Sequence, residues 1–226
     1  GASGLPAPAL PPADKLMPSS GGRGVPRANF GTVNPETIDT YEIVLERAFT
    51  PHLSASLSGY YYDMEDLIDQ YLDPDDGLIV FKNLDEVHAV GAELGLTGHW
   101  DNGVRTRASY SYVEARDEVT DQILVDSPKH LAKFNLIAPV VQERLFAGLE
   151  VQYNGPSETL AGNEADGFVL TNLTMTYVSE SKQLEVSAGL YNLFDVEYAY
   201  PGFAEHVQDE IERDGLTFRM KLTYRF

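Results

Sequence analysis

The stretch Leu216-Thr217-Phe218-Arg219-Met220-Lys221-Leu222-Thr223-Tyr224-Arg225-Phe226 decides the fold. Its even positions are all apolar or aromatic, and its odd positions are all polar, with cations at Arg219, Lys221 and Arg225. Successive side chains of an extended chain point to opposite faces, so this is one strand with an apolar face and a charged face. That division suits hydrocarbon on one side and a wet lumen on the other. A cation facing hydrocarbon at midplane would cost about 2–4 kcal/mol, and all three avoid it.

The same period of two recurs upstream. In 183–190, Leu184, Val186, Ala188 and Leu190 oppose Gln183, Glu185, Ser187 and Gly189. In 144–154, Leu145, Ala147, Leu149, Val151 and Tyr153 oppose Gly148, Glu150, Gln152 and Asn154. In 90–100, Val90, Ala92, Leu94, Leu96 and Trp100 stand against Glu93, Thr97 and His99. In 52–61, Leu53, Ala55, Leu57 and Tyr61 stand against His52, Ser54, Ser56 and Ser58. Further strands are predicted near 40–49, 103–115, 129–138 and 167–178, about nine in all. Helical periodicity of comparable length is missing, so the class is all-β.

Connections alternate in length. Short links are Thr50-Pro51, Asp101-Asn102-Gly103, Pro139 to Gln142 and Ser179 to Lys182; long ones run over 64–86, 116–128, 155–166 and 194–214. Asn102-Gly103 is a hairpin-turn signal because both residues tolerate positive φ. Tight turns at one end and long polar loops at the other describe an antiparallel up-and-down transmembrane barrel segment, with short periplasmic turns and long outer loops. Aromatics fall at both strand ends: Tyr61, Tyr110, Tyr112, Tyr153 and Tyr191 at the outer one, Phe49, Trp100, Tyr177 and Phe226 at the inner one. Amphipathic rings collect at headgroup depth, so these are candidate membrane-interface residues.

Composition sets the outer bounds. Sixteen Lys and Arg against thirty-five Asp and Glu give a net charge of −19, which argues against nucleic acid as a partner. Without cysteine there is no disulfide, thiol nucleophile or thiolate metal site. Nothing approaches the roughly 18 consecutive apolar residues of a spanning helix, a test that a barrel escapes. Residues 1–36, with Pro6, Pro8, Pro11, Pro12, Pro18, Pro26 and Pro35, are expected to be a loop or linker preceding a barrel portion at 37–226. No secretory signal opens the chain, so an exported protein would be represented here by a mature or truncated form.

Several segments carry a family resemblance. The row Phe218, Met220, Leu222, Tyr224 and Phe226 resembles the terminal signature of outer-membrane proteins, which implies recognition by the barrel-assembly machinery. Asn34-Pro35-Glu36-Thr37-Ile38-Asp39-Thr40-Tyr41-Glu42 resembles the opening of a late barrel strand in TonB-dependent receptors. Val90-Gly91-Ala92-Glu93-Leu94, Ala108-Ser109-Tyr110-Ser111-Tyr112 and Ser127-Pro128-Lys129-His130 are similar to further stretches of that family. Tyr191-Asn192-Leu193-Phe194-Asp195, followed by Tyr198 and Pro201, is similar to its motif before the last loop. The resemblance runs from about Asn34 to Phe226, in the family's order, and residues 1–33 carry no matching motif.

The resemblance implies energy-coupled uptake of scarce nutrients (siderophore-bound iron, cobalamin or glycans) across the outer membrane of a Gram-negative bacterium. Implied partners are outer-membrane lipid, the remaining barrel strands and plug, and the TonB complex reached through that plug. Such receptors close about 22 strands around a plug. About nine strands would be a fragment or one part of a split receptor, unable to transport alone. An odd count would also run the first and last strands the same way, leaving only parallel closure. The alternatives are a complete small barrel with an adhesive or structural role, and a soluble acidic β-domain that binds carbohydrate.

No catalytic constellation is expected. His52, His88, His99, His130 and His206 are scattered, and none stands with Ser and Asp in a catalytic order. The acidic run from Asp63 to Asp76 is dense enough for a hard cation, but it lacks EF-hand spacing, and Asp73-Pro74-Asp75-Asp76-Gly77 reads as a turn. Neither a cofactor nor a metal is expected.

Overall fold

The structure, a computed structural model, describes residues 33–72, 79–83, 86–118, 120–203 and 206–226. Of the expected linker, residues 1–32 lie outside that range. Among the described residues every regular element is a strand: β1 Thr37–Thr50, β2 Leu53–Glu65, β3 Ile68–Leu72, β4 Ile79–Asn83, β5 Glu86–His99, β6 Arg105–Asp117, β7 His130–Val141, β8 Leu145–Asn154, β9 Ser157–Glu158, β10 Glu164–Ala165, β11 Phe168–Val178, β12 Leu184–Tyr191, β13 Ala199–Pro201, β14 Glu210–Glu212 and β15 Thr217–Tyr224. Nine form one sheet in the order β1-β2-β5-β6-β7-β8-β11-β12-β15, and every neighbouring pair is antiparallel. These are the nine strands that the alternation predicts.

Register carries the alternation from strand to strand. Leu45, Leu57, Leu94, Tyr110, Ala132, Tyr153 and Val169 are successive cross-strand partners and form one apolar row. One residue along, Glu46, Ser56, Gly95, Ser109, Lys133, Gln152 and Leu170 form a mainly polar row on the opposite face. A slip of one residue in any ladder would exchange the faces, so burial of either face excludes every odd slip. Ile43, Leu57, Leu94, Met175, Met220 and Leu222 all stand exposed on the apolar face. Among the described residues the buried hydrophobic side chains are Val87, Ala89, Ala115, Ala165 and Phe168, at the loop end. An exposed apolar surface of this extent needs an apolar environment.

Among the described residues the sheet order is open, with β1 and β15 at its two edges and no ladder between them. The tight turns lie between β1 and β2, β5 and β6, β7 and β8, and β11 and β12. Gly103 N donates to Trp100 O, and Gly103, not Asn102, takes the positive φ, at 87°. The turn therefore has a left-handed glycine after a right-handed pair, rather than two left-handed central residues. Pro139, expected to begin a turn, lies within β7, where the register shifts before Val141. A proline cannot donate to a ladder, and a bulge is where a strand tolerates one.

The long connections are more structured than the sequence predicts. β3 and β4 pair as a hairpin inside the expected loop 64–86, β9 and β10 pair inside 155–166, and β13 and β14 pair inside 194–214. Two glycines make close packing possible on the long strands. A methyl on Gly91 would fall on the Tyr60 ring and the Tyr112 carbonyl, so the end of the ring occupies the space where no side chain stands. A methyl on Gly98 would likewise fall on the Trp100 indole.

Candidate functional site

The polar face is held by directed contacts. Glu150 Oε1 accepts from Gln152 Nε2 at 2.6 Å and from Asn172 Nδ2 at 2.7 Å. Asn172 Oδ1 in turn accepts from the backbone N of Asn192 at 2.9 Å. Asn172 and Asn192 are both buried. The Asn192 side chain closes a local loop, donating to Val196 O at 2.8 Å and accepting from Val196 N at 2.9 Å. Asp195 Oδ1 accepts from Leu216 N at 2.7 Å. Asn192 and Asp195 both have φ near 52°, a left-handed conformation that asparagine and aspartate tolerate better than most residues. The motif Tyr191–Asp195 is thus a clip that ties the start of the β12–β15 connection to its end.

Three outer connections join above this wall. Asp209 accepts from Asn163 Nδ2 at 2.9 Å, Thr159 Oγ1 at 2.8 Å and Ala161 N at 3.3 Å, which links the β14 approach to the β9–β10 loop. Asn163 and then Thr159 hold its carboxyl below the ordinary carboxylate value by stabilising the charged form. Asp126 N donates to Glu158 O at 3.0 Å and brings in the β6–β7 loop. Burial pushes the Asp126 carboxyl up, with Arg213 as the opposing influence. Phe168, Tyr198 and Tyr200 form an aromatic cluster with centroids 4.6 to 6.0 Å apart, and Arg213 lies 5.3 Å over the Tyr200 ring. Burial also raises the Tyr200 phenol.

Two cavities open beneath this cap. One of about 600 Å³ lies beside the cluster, with Phe168, Tyr198, Glu210 and Arg213 in its wall. The other, about 300 Å³, lies on the polar face between Asn172, Tyr191, Thr217 and Arg219 and the loop residues Glu212 to Gly215. The loops therefore lean over the polar face, as loops that cap a lumen would.

The sequence-predicted residues fall as follows. Phe218, Met220, Leu222 and Tyr224 form one exposed row on the free edge strand β15, and Phe226 is exposed beyond it. Tyr61, Tyr110, Tyr112, Tyr153 and Tyr177 stand on the apolar face, and Trp100 lies over Gly98 on that face. Tyr112 packs its ring on His130 at 5.2 Å, and Arg47 lies 5.9 Å over Phe49. Tyr191 is a correction: it pairs with Thr217 and carries Arg219 over its ring at 5.1 Å, on the polar face. Its odd number groups it with Glu185 and Ser187, and parity, not nearness to a strand end, sets the face. Sequence reading also missed Asp209 and Arg213, which in the sequence are two charges among many.

An open antiparallel wall with a lipid-compatible face, a polar face and capping loops defines a piece of a transmembrane β-barrel. The sequence matches the family described as "TonB dependent receptor-like, beta-barrel" over residues 8–193, and the chain belongs to that family. The match begins well before Asn34, where the motif resemblance starts. The family is one of transport receptors. The vitamin B12 transporter BtuB of Vibrio vulnificus (strain YJ016) is 25% identical over 174 residues, 76% of this chain and 27% of that protein. The solved copper transporter OprC superposes with a TM-score of 0.69 at 22% identity, covering 86% of this chain and 32% of its own. The ferripyoverdine receptor of the outer membrane of Pseudomonas aeruginosa gives 0.65 at 17% identity, covering 86% and 28%. The chain thus spans about a third or less of the length of these relatives.

Proposed function

We propose that this chain is one wall of an outer-membrane receptor for energy-coupled nutrient uptake, in a Gram-negative bacterium, and that it transports nothing alone. The observation that carries this reading is the direction of the two free edges. β1 and β15 both run from the loop end to the turn end, as the first and ninth strands of a meander must. Closing the sheet antiparallel requires an odd number of further strands, with both outermost ones running the other way. Unpaired edge groups in hydrocarbon cost several kcal/mol each, so the edges need those strands. The relatives, about three times as long, have room for them.

In that assembly the apolar face meets outer-membrane lipid. Phe49, Tyr61, Trp100, Tyr110, Tyr112, Tyr153 and Tyr177 form its two interfacial girdles. The β15 row Phe218, Met220, Leu222, Tyr224 and Phe226 is the signal for the barrel-assembly machinery. The polar face encloses a plug through which the TonB complex acts. The cargo belongs to the class that the relatives' names cover: metal–siderophore complexes, cobalamin or metal ions, with glycans a further possibility within the family. Expressed with its upstream sequence, the chain is expected in the outer-membrane fraction, with faster gel mobility before heating than after. Recovery of the chain alone as a monodisperse monomer in detergent-free buffer would overturn the reading.

A further inference from the structure

We propose that the cavity of about 300 Å³ on the polar face is an oxyanion subsite, built by Arg219 and Arg213 on tyrosine supports, for a carboxylate or phosphate group of a small ligand. The surroundings make the two arginines conspicuous. Carboxylates dominate the loop end, and Glu212 and Asp214 line the same cavity. Neither guanidinium has a carboxylate within ion-pair distance among the described residues, a state they share with Arg47, Arg105 and Arg107, whereas Arg116, Arg144 and Arg225 are paired. Arg213 and Arg219, however, line one cavity together with carboxylates beside them. An arginine beside free carboxylates ordinarily takes one. Here aromatic faces hold the guanidinium planes instead: Arg219 lies 5.1 Å over Tyr191, and Arg213 lies 5.3 Å over Tyr200. Such stacking uses the π face of the guanidinium and leaves its N–H fork free for a planar oxyanion.

The support for Arg219 is built into the sheet. Gly189 is its cross-strand partner, and the Tyr191 ring leans over that glycine, within 3.0 Å of where a methyl would stand. A methyl at 189 would make the ring give by a few tenths of an ångström, and a branched side chain would press on it further. Asn172 and Thr217 supply neutral polar walls, and Asn172 is fixed by Glu150 and Asn192. Arg213 N donates to Tyr198 O at 3.0 Å and the clip fastens Leu216, so Arg213 and Gly215 line the same space. Two fixed cations with free forks, under a loop at the outer mouth, match a ligand oxyanion entering from outside.

This inference rests on the receptor reading, and its test is separable from it. The complete receptor that carries this chain, in outer-membrane vesicles, is treated with phenylglyoxal in the absence and presence of citrate or inorganic phosphate. Modification of each arginine is read by mass spectrometry. Arg219 and Arg213 are expected to label freely, and one of the two anions should slow both about ten-fold at ten times its half-effect concentration. Arg225, paired with Glu185, serves as the control that does not respond. Protection by citrate and not phosphate assigns a carboxylate ligand, and the reverse a phosphate. Arg219→Gln should abolish protection of Arg213, and Gly189→Val should weaken it while the receptor still assembles. The proposal is overturned if neither anion protects, or if both arginines resist labelling beforehand because another part of the receptor already occupies them. Either result can arise with normal outer-membrane localisation, which keeps the receptor reading intact.

Discussion

The two faces of the nine-stranded sheet are made from the same strands, one residue out of step, and they are specified in different ways. On the apolar face, Leu45, Leu57, Leu94 and Tyr110 follow one another across the ladder with no requirement beyond being apolar. On the polar face several positions have a specific partner: Glu150 with Asn172, Asn172 with Asn192, Tyr60 with the space left by Gly91. A solvent-like environment reads only the average polarity of a surface, while directed hydrogen bonds and close ring contacts read individual residues. Substitution should therefore be tolerated by class on one face and by identity on the other.

The largest expected effect breaks the apolar face. Leu149→Arg places a cation on that face of the interior strand β8 and should cost about 2–4 kcal/mol, while Leu149→Met stays within about 1.5 kcal/mol. Urea unfolding of the complete receptor in lipid vesicles measures both. Equal tolerance of the two would show that this face does not meet lipid. On the other face, Asn192→Leu keeps the bulk of the side chain but strands the Val196 N–H and C=O. A loss of about 1–3 kcal/mol is expected, with faster amide exchange through 193–216. Unchanged exchange there would mean that the motif is not a clip.

Gly91→Ala sharpens the contrast at a single atom, because the added methyl meets the Tyr60 ring and the Tyr112 backbone. It should cost about 1–3 kcal/mol, and Tyr60→Ala in the same chain should recover part of it. No recovery would place the strain on the backbone alone. The smallest effect is local. Asp209→Ala should raise amide exchange in 157–165 and 206–212 without changing the global unfolding midpoint. The carboxylate is held below its ordinary value of 3.8 by bonds to its charged form, so the link is complete above that value. It should weaken only as the pH falls below about 3.8, through the depressed folded value. Loss of protection near neutral pH in the wild type would exclude Asp209 as the fastening group.

What the sequence made legible follows from periodicity. All nine long strands, their alternation and the separation of tight turns from long loops appear in the order of residues, because a strand's faces are set by parity alone. Loop structure was less legible. The pairs β3–β4, β9–β10 and β13–β14 are too short to show a period, and their pairing depends on the ends held by the long strands. Tyr191 marks the boundary between the two. Its parity was readable, but aromatic type and a position near a strand end point to the opposite face.

The sequence by itself determined the class, the strand count and the face of each residue, since alternation over the long strands permits one assignment of faces. Only the tertiary structure decided which charges matter. Asp209 and Arg213 are unremarkable among the acidic and basic residues of their loops until folding sets one against Thr159 and Asn163 and the other over Tyr200. Hydrogen bonds and guanidinium stacking depend on distances between residues far apart in the chain, and no local pattern encodes those distances.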